Sequence, residues 1–300
     1  MTPFKRYIAE EIAVDHAEGL FTRREALRRL ALMGITAGAA TTLLAACSTD
    51  SSPVAPTATE EPTTAVGLPP GVETAVDTEA ITFPGPTATL QGAWAAASNP
   101  RGAVLVLHEN KGLTDHIRSI AGRLAGAGYS SLAIDLLSEE GGTASFTDPA
   151  EATAKLSDIP PERFSADMKA GLDELQKRAP GVKLGAVGFC FGGGLVWTLL
   201  ASNEPRLAAA VPFYGPLPDN PDFAGDSAAV LAIYAGLDAR VNASQPAATA
   251  ALQAAGLTNK IDTVPDVDHA FFNDTGARYQ PAAAAQVYQE VLDWFGMYLA

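Results

Sequence analysis

The sequence has 300 residues, 47% of them hydrophobic, and carries a formal net charge of −14 at pH 7. This length and apolar content provide enough material for one large hydrophobic core. The acidic balance excludes nucleic acid and anionic lipid headgroups as expected partners, because binding phosphates requires a clustered positive field.

The first 47 residues have the pattern of an export signal, in which the basic stretch TRREALRRLA precedes an apolar stretch from Ala31 to Ala46. Arg23 and Arg24 resemble a twin-arginine signal. The letters LAAC, ending at Cys47, resemble a bacterial lipoprotein box, in which the cysteine is lipidated. An uncleaved membrane anchor is the alternative, since the apolar stretch falls just short of the roughly 18 to 20 residues that span a bilayer. Either way we expect an exported, extracytoplasmic chain that meets a membrane only through its N-terminal anchor.

Residues 48–71 are rich in Ser, Thr and Pro and offer no periodic apolar face, which is typical of a disordered tether. We predict that residues 72–300 form a single catalytic domain. The chain has two cysteines. With Cys47 lipidated, Cys190 is the only thiol left, so no intramolecular disulfide is expected.

Beyond the tether, apolar runs alternate with segments of helical periodicity. The predicted strands are 80–83, 89–96, 102–109, 130–137, 182–189, 207–215, 228–236 and 260–264. The predicted helices are 114–127, 245–255 and three that begin at residues 161, 191 and 281. The first two strands look like an antiparallel edge. The alternation predicts an α/β fold with a mostly parallel, doubly wound sheet, helices on both faces and ligand sites at the carboxyl ends of the strands.

Cys190 follows one of these strands, within the stretch Gly188-Phe189-Cys190-Phe191-Gly192. Glycines on either side allow a sharp turn from strand to helix, which would raise the cysteine above the sheet as a nucleophile. We expect the helix that starts at Phe191 to lower the pKa of the thiol and the Phe191 N–H to serve as an oxyanion donor. The alternative is a small buried structural cysteine.

A thiol nucleophile requires a base, and the sequence has four histidines. His16 lies in the predicted signal, while His108 in a strand and His116 on a helix are expected to be packing or surface residues. His269 lies in a loop between the last predicted strand and the last helix, so we predict that it is the base, against the alternative of a surface-loop histidine.

An acid must orient the imidazole and stabilise its charged form. Asp238 follows a predicted strand after a short glycine turn and is the preferred candidate. Asp266 and Asp268 compete because they flank His269. Neighbours so close in sequence rarely reach the far nitrogen of their own histidine, which favours Asp238.

Glu109 lies at the carboxyl end of the strand VLVLHE, where a carboxylate could hold or accept the proton of the thiol. The backbone N–H of Asn110 could supply a second oxyanion donor. The alternative for Glu109 is a solvated carboxylate at a strand end.

The stretches LHENKGL, GYSSLAIDLL, VGFCFGGG, FYG, YAGLDARV and DHAFFND follow one another in the chain. In this order and spacing the domain resembles the dienelactone hydrolase family of the α/β-hydrolase superfamily, over roughly residues 75–300. The resemblance implies a triad of Cys190, Asp238 and His269, with the glutamate of the family at Glu109. Its strand-to-helix turn corresponds to the nucleophile elbow of these hydrolases, with sulfur in place of the usual serine oxygen.

Family enzymes that act on dienelactone hold the substrate carboxylate with arginines, one of them shortly after the catalytic histidine. In this sequence Asn273 stands near that place, and Arg278 follows later.

The sequence therefore predicts a hydrolase that cleaves a small-molecule lactone or carboxylic ester through an acyl-cysteine intermediate, with no metal and no organic cofactor. A non-catalytic lipoprotein that uses the same fold for binding or scaffolding is the alternative. Thiol redox chemistry is disfavoured, because Cys190 has no resolving cysteine.

Overall fold

The computed structural model describes residues 1–47 and 68–300. The predicted tether therefore lies outside the described residues except for its last four positions. The described N-terminal region consists of three helices: α1 (Pro3–Ala17), α2 (Arg23–Leu32) and α3 (Ala37–Cys47).

The rest of the chain is built around one eight-stranded sheet. Its strands are β1 (Glu79–Pro84), β2 (Thr89–Ala95), β3 (Gly102–Leu107), β4 (Tyr129–Asp135), β5 (Leu184–Phe189), β6 (Leu207–Phe213), β7 (Ala229–Ala235) and β8 (Asn259–Val264). Their order in the sheet is β1-β2-β4-β3-β5-β6-β7-β8. The pairs β1–β2 and β2–β4 are antiparallel and all the others are parallel, so the predicted antiparallel edge and parallel centre are confirmed.

Seven further helices follow in the chain: α4 (Asp115–Gly126), α5 (Pro149–Asp158), α6 (Pro161–Arg178), α7 (Phe191–Ala201), α8 (Ala239–Asn242), α9 (Gln245–Ala254) and α10 (Pro281–Tyr298). The sequence did not predict α5 or the short α8. Helix α5 begins after Asp148, whose side chain accepts a hydrogen bond from the N–H of Ala150, and Pro149 fits the first turn.

Helices cover both faces of the sheet, which agrees with the predicted fold class. Strands β3, β4, β5 and β7 are buried along their whole length. On one face Leu105 of β3 lies against Gly171 of α6. On the other face, Gly185 of β5 lies against Leu299 just after α10. Strand residues buried on both faces explain why the apolar runs are continuous rather than alternating.

The three N-terminal helices pack onto this domain and share its hydrophobic core. The ring of Phe4 lies edge-on to Phe164 and Phe191, with ring centroids 5.7 Å and 4.9 Å away. Ile8 is fully buried. The export role of this segment stays a prediction, but in this structure the segment is folded against the catalytic domain.

Among the residues that the structure describes, no helix combines the length and the apolar character needed to cross a bilayer.

The turn between β5 and α7 places Cys190 at the carboxyl edge of the sheet. Cys190 has a φ of 57°, a left-handed conformation that a side chain rarely adopts. Its N–H donates to the carbonyl oxygen of Phe213 at 3.1 Å. A Cβ at Gly188 would lie 2.2 Å from the carbonyl oxygen of Gly192, and one at Gly192 would lie 2.3 Å from that of Leu107. Only glycine therefore fits on either side of the elbow.

Gly188→Ala is expected to lower the free energy of unfolding by about 1–3 kcal/mol, because the new methyl group overlaps the backbone of the elbow. Denaturant unfolding followed by circular dichroism measures the change. Gly296→Ala in α10 is the control, since the nearest atom, Oη of Tyr129, would be 3.7 Å from the new Cβ. Equal stability of the two variants would contradict this account of the elbow.

Candidate active site

The thiol of Cys190 lies in a closed site at the carboxyl edge of the sheet and is 2% exposed. The backbone N–H of Phe191, at the start of α7, acts to lower the pKa of the thiol. The sequence places this group there because Cys190 is the single residue between the end of β5 at Phe189 and the start of α7 at Phe191.

His269 and Asp238 are brought together from two separate loops. Asp238 follows β7, and one of its carboxylate oxygens accepts a hydrogen bond from the N–H of Val241 at 3.1 Å. Its other oxygen lies 2.6 Å from Nδ1 of His269, in the loop between β8 and α10. This contact leaves Nε2 of the imidazole free to face the thiol.

The two competing aspartates do not make this contact. Asp268 accepts a hydrogen bond from the backbone N–H of His269 at 2.6 Å, and its other carboxylate oxygen lies 3.5 Å from the guanidinium of Arg278. Asp266 has a left-handed φ of 57° in the turn after β8. The structure thus pairs the imidazole with Asp238.

Burial lowers the pKa of His269, but the hydrogen bond and the charge of Asp238 outweigh this effect, so the net pKa is raised. Burial raises the pKa of Asp238, but the hydrogen bond from His269 and the charges nearby outweigh this effect, so the net pKa of Asp238 is lowered. The pair is therefore arranged to keep the acid ionised and to stabilise an imidazolium.

The prediction that the thiol pKa is lowered is wrong for this state of the protein. Burial raises the pKa of Cys190 well above its ordinary value, and the carboxylates of Glu11 and Glu109 raise it further. The hydrogen bond from Phe191 opposes this increase but does not overcome it. The helix terminus is present as expected, but burial and the charges of two carboxylates disfavour the thiolate more than the terminus favours it.

Glu109 lies in the wall of the same cavity as the thiol but does not bind it. Its Oε2 accepts a hydrogen bond from Nδ2 of Asn273 at 2.7 Å. In this structure the thiol donates its proton toward Glu11, and the Glu109 carboxylate binds Asn273. Asn110 lines this cavity too.

The other two histidines of the domain have packing roles in this structure. His108 is fully buried, and its Nε2 accepts a hydrogen bond from the N–H of Leu136 at 3.2 Å. His116 is paired with Asp274. Neither lies in the cavity that contains Cys190.

Helix α1 covers the thiol with two side chains that the sequence analysis missed. Oη of Tyr7 lies 3.4 Å from the sulfur of Cys190 and 3.5 Å from Nε2 of His269. Both carboxylate oxygens of Glu11 lie 3.5 Å from the sulfur, which donates its proton toward them. The apolar side chains of α1 recur at three- and four-residue spacing, and this pattern could have indicated a helix that packs on the domain. It was passed over because residues 1–47 were interpreted as an export signal.

Two arginines also border the site. The guanidinium of Arg240 lies 4.4 Å from the centroid of the Tyr7 ring. Arg278 pairs with Asp15 at 2.9 Å and with Glu18. Both arginines therefore contact side chains of α1 or of Glu18, the residue after it.

A cavity of about 310 Å³ lies beside the thiol, and α1 contributes part of its wall. The potential ligand atoms of Glu11, Cys190 and His269 lie within 4.8 Å of one another, so these three side chains are the set that could hold a metal ion among the described residues. Two members of this set are the predicted nucleophile, Cys190, and the predicted base, His269.

Comparison with known proteins identifies the family of this domain. Residues 90–299 match the model described as "Dienelactone hydrolase family". A relative from Escherichia coli strain K12, named "Putative carboxymethylenebutenolidase", is 34% identical over 215 residues, which cover 67% of this chain and 79% of the relative. A relative of the same name from Methylorubrum extorquens is 32% identical over 221 residues, covering 68% of this chain and 74% of the relative.

Solved structures show the same architecture. A "Putative Dienelactone Hydrolase" from Klebsiella pneumoniae matches with a TM-score of 0.65 at 28% identity, covering 74% of this chain and 98% of that one. The dienelactone hydrolase from Anabaena variabilis matches with a TM-score of 0.58 at 23% identity, covering 74% and 98%. The three N-terminal helices, within residues 1–47, lie outside the residues of the family match.

Asp238→Asn is expected to lower the pKa of His269, since the variant loses both the negative charge and the accepting hydrogen bond that raise it. An NMR titration of the imidazole C–H resonances measures the shift. Asp274→Asn, which affects His116 instead, is the control and should leave His269 unchanged. A His269 titration that is identical in wild type and Asp238→Asn would contradict the pairing.

Proposed function

Because this chain belongs to the dienelactone hydrolase family, we propose that it hydrolyses a lactone or carboxylic ester through an acyl intermediate on Cys190. The observation that carries the proposal is the thiol at a strained strand-to-helix turn, beside an imidazole whose Nδ1 lies 2.6 Å from a buried aspartate. This arrangement provides a nucleophile, a base and an orienting acid.

In the acylation step, His269 removes the proton of the thiol as the sulfur attacks the carbonyl carbon of the ester. The carbonyl oxygen becomes an oxyanion, which the N–H groups of Phe191 and Asn110 stabilise. Collapse of this intermediate breaks the bond to the alkoxide oxygen, and His269 returns the proton to that oxygen. In a lactone the alcohol stays attached to the acyl group.

Deacylation reverses these roles with water. His269 takes a proton from a water molecule, whose oxygen attacks the acyl carbon. The carbon–sulfur bond then breaks, the sulfur recovers a proton from His269, and the carboxylic acid leaves. Asp238 holds the ring in one orientation through both steps.

Glu109 acts as a positioning residue in this proposal. Its carboxylate binds Asn273, in the loop that carries His269, and both residues line the cavity beside the thiol. The substrate enters along this wall once α1 has moved, because α1 closes the site in the structure described above.

Cys190→Ala is expected to lower the hydrolysis of p-nitrophenyl acetate at least about 10³-fold, and Cys190→Ser should retain only a remnant, since the base is matched to a thiol. Steady-state rates of equal amounts of folded protein measure the effect. Gly296→Ala in α10, where the nearest atom lies 3.7 Å from the new Cβ, is the control and should hydrolyse the ester at the wild-type rate. Unchanged turnover in Cys190→Ala would refute the acyl-cysteine route. No turnover of any ester, lactone or thioester, either by wild type or by a chain whose α1 is displaced, such as Ile8→Asp, would favour the scaffold alternative.

We further propose, from the sequence pattern, that the protein is exported and attached to a membrane by a lipid on Cys47. The support is the paired Arg23 and Arg24, the apolar stretch that follows and the LAAC motif. The domain then functions outside the cytoplasm.

Cys47→Ala is expected to shift the protein out of the membrane fraction of a bacterial host, because the substituted side chain cannot be acylated. Intact mass spectrometry of the purified protein checks for the lipid and for processing before residue 47. Cys190→Ala is the matched control. A mass difference that equals the substitution alone, with the same membrane distribution for wild type and Cys47→Ala, would contradict lipidation.

A further inference from the structure

The surface around the catalytic thiol is a binding site for a helix, and α1 occupies it. One face of α1 is buried on the catalytic domain; its members are Phe4, Tyr7, Ile8, Ile12 and Ala13. These side chains recur at helical spacing, so a single amphipathic helix seals the site. Their burial provides the main driving force for docking.

The helix occupies the space in which a substrate would react. An ester carbonyl must approach the attacking atom to about 3–3.5 Å before bond formation. Oη of Tyr7 is 3.4 Å from the sulfur, and the carboxylate of Glu11 is 3.5 Å from it. A substrate therefore cannot reach the sulfur while α1 is docked.

The chemical state of the thiol is also unsuited to attack while α1 is docked. The proton of the sulfur is directed toward the Glu11 carboxylate, and the Tyr7 hydroxyl lies within hydrogen-bond distance of both the sulfur and Nε2 of His269. The thiol thus donates to Glu11 rather than to the imidazole.

Electrostatic contacts hold α1 in one register. Asp15 and Glu18 bind Arg278, whose side chain is 15% exposed. Arg240 lies against Tyr7. The pair of Arg278 with Asp15 is largely withdrawn from water, so it contributes more than the exposed pairs elsewhere in the segment, such as Arg6 with Asp219.

We propose that the N-terminal helices act as an inhibitor in cis, which keeps the hydrolase proposed above inactive until this segment leaves the domain. All three helices precede or end at Cys47. Processing immediately before Cys47, which the LAAC motif predicts, would remove them in one step. The inhibited form would then be the precursor, and the open form would be the exported enzyme.

Alkylation of Cys190 tests this proposal without relying on hydrolysis. Cys47→Ser in the full chain leaves Cys190 as the only thiol, because the sequence has two cysteines. In this background Ile8→Asp places a charge in the fully buried face of α1. We expect iodoacetamide to label Cys190 at least about tenfold faster, because the open form becomes more populated. Leu32→Asp, at a residue of α2 that is 40% exposed, is the control and should label at the parental rate.

A charge exchange provides a second test if Ile8→Asp disturbs the rest of the fold. Asp15→Lys with Glu18→Lys removes the two partners of Arg278 that belong to α1 and the residue after it, and labelling should become several-fold faster. Adding Arg278→Glu restores opposite charges across the contact and should slow labelling again. Glu10 lies on the same helix and forms no ion pair among the described residues. Glu10→Lys is therefore the control and should leave the labelling rate unchanged.

Each result separates the two proposals. Faster labelling together with faster hydrolysis of p-nitrophenyl acetate in Ile8→Asp supports inhibition by α1. Faster labelling with no hydrolysis of any ester retains the covering role of α1 and refutes the proposed hydrolase. Labelling at the parental rate, both in Ile8→Asp and in the Asp15→Lys, Glu18→Lys double variant, would overturn inhibition. Hydrolysis that falls while labelling rises would also overturn it, because α1 would then be part of the working site.

Discussion

The backbone conformation at Cys190 is the constraint on which the site depends. Its φ of 57° is held by the hydrogen bond to Phe213 and by close approaches that only Gly188 and Gly192 allow. This geometry places a single sulfur above the carboxyl edge of the sheet, where the loops carrying Asp238 and His269 also end. The strain is local, and the packed strands on either side stabilise it.

Much of the fold could be predicted because local signals and the global fold agree. Continuous apolar runs gave the buried strands, and the glycine-flanked cysteine gave the elbow. The pairing of Asp238 with His269 could be anticipated from their places after β7 and β8. Helix α5 was missed because its signal is weak, with Asp148 and Pro149 at its start and several alanines rather than a strong apolar face.

What the sequence could not reveal depends on long-range docking. The ionisation of Cys190 was misjudged because the effect of a helix terminus is local, whereas burial and the charge of Glu11 come from a segment 179 residues away. The net charge of the chain likewise says nothing about the charges at the site. The chain is acidic overall, yet Arg240 and Arg278 stand there, in contact with Tyr7 and with Asp15 and Glu18.

The central claim is that the sulfur of Cys190 carries the acyl group during turnover. The most direct measurement is to quench the protein with acid during turnover of an activated ester and to map the added mass by peptide mass spectrometry. The account predicts one acyl group on the peptide that contains Cys190, and none on that peptide in Cys190→Ala. Hydrolysis with no acyl group on Cys190, or with the acyl group on another residue, would contradict it.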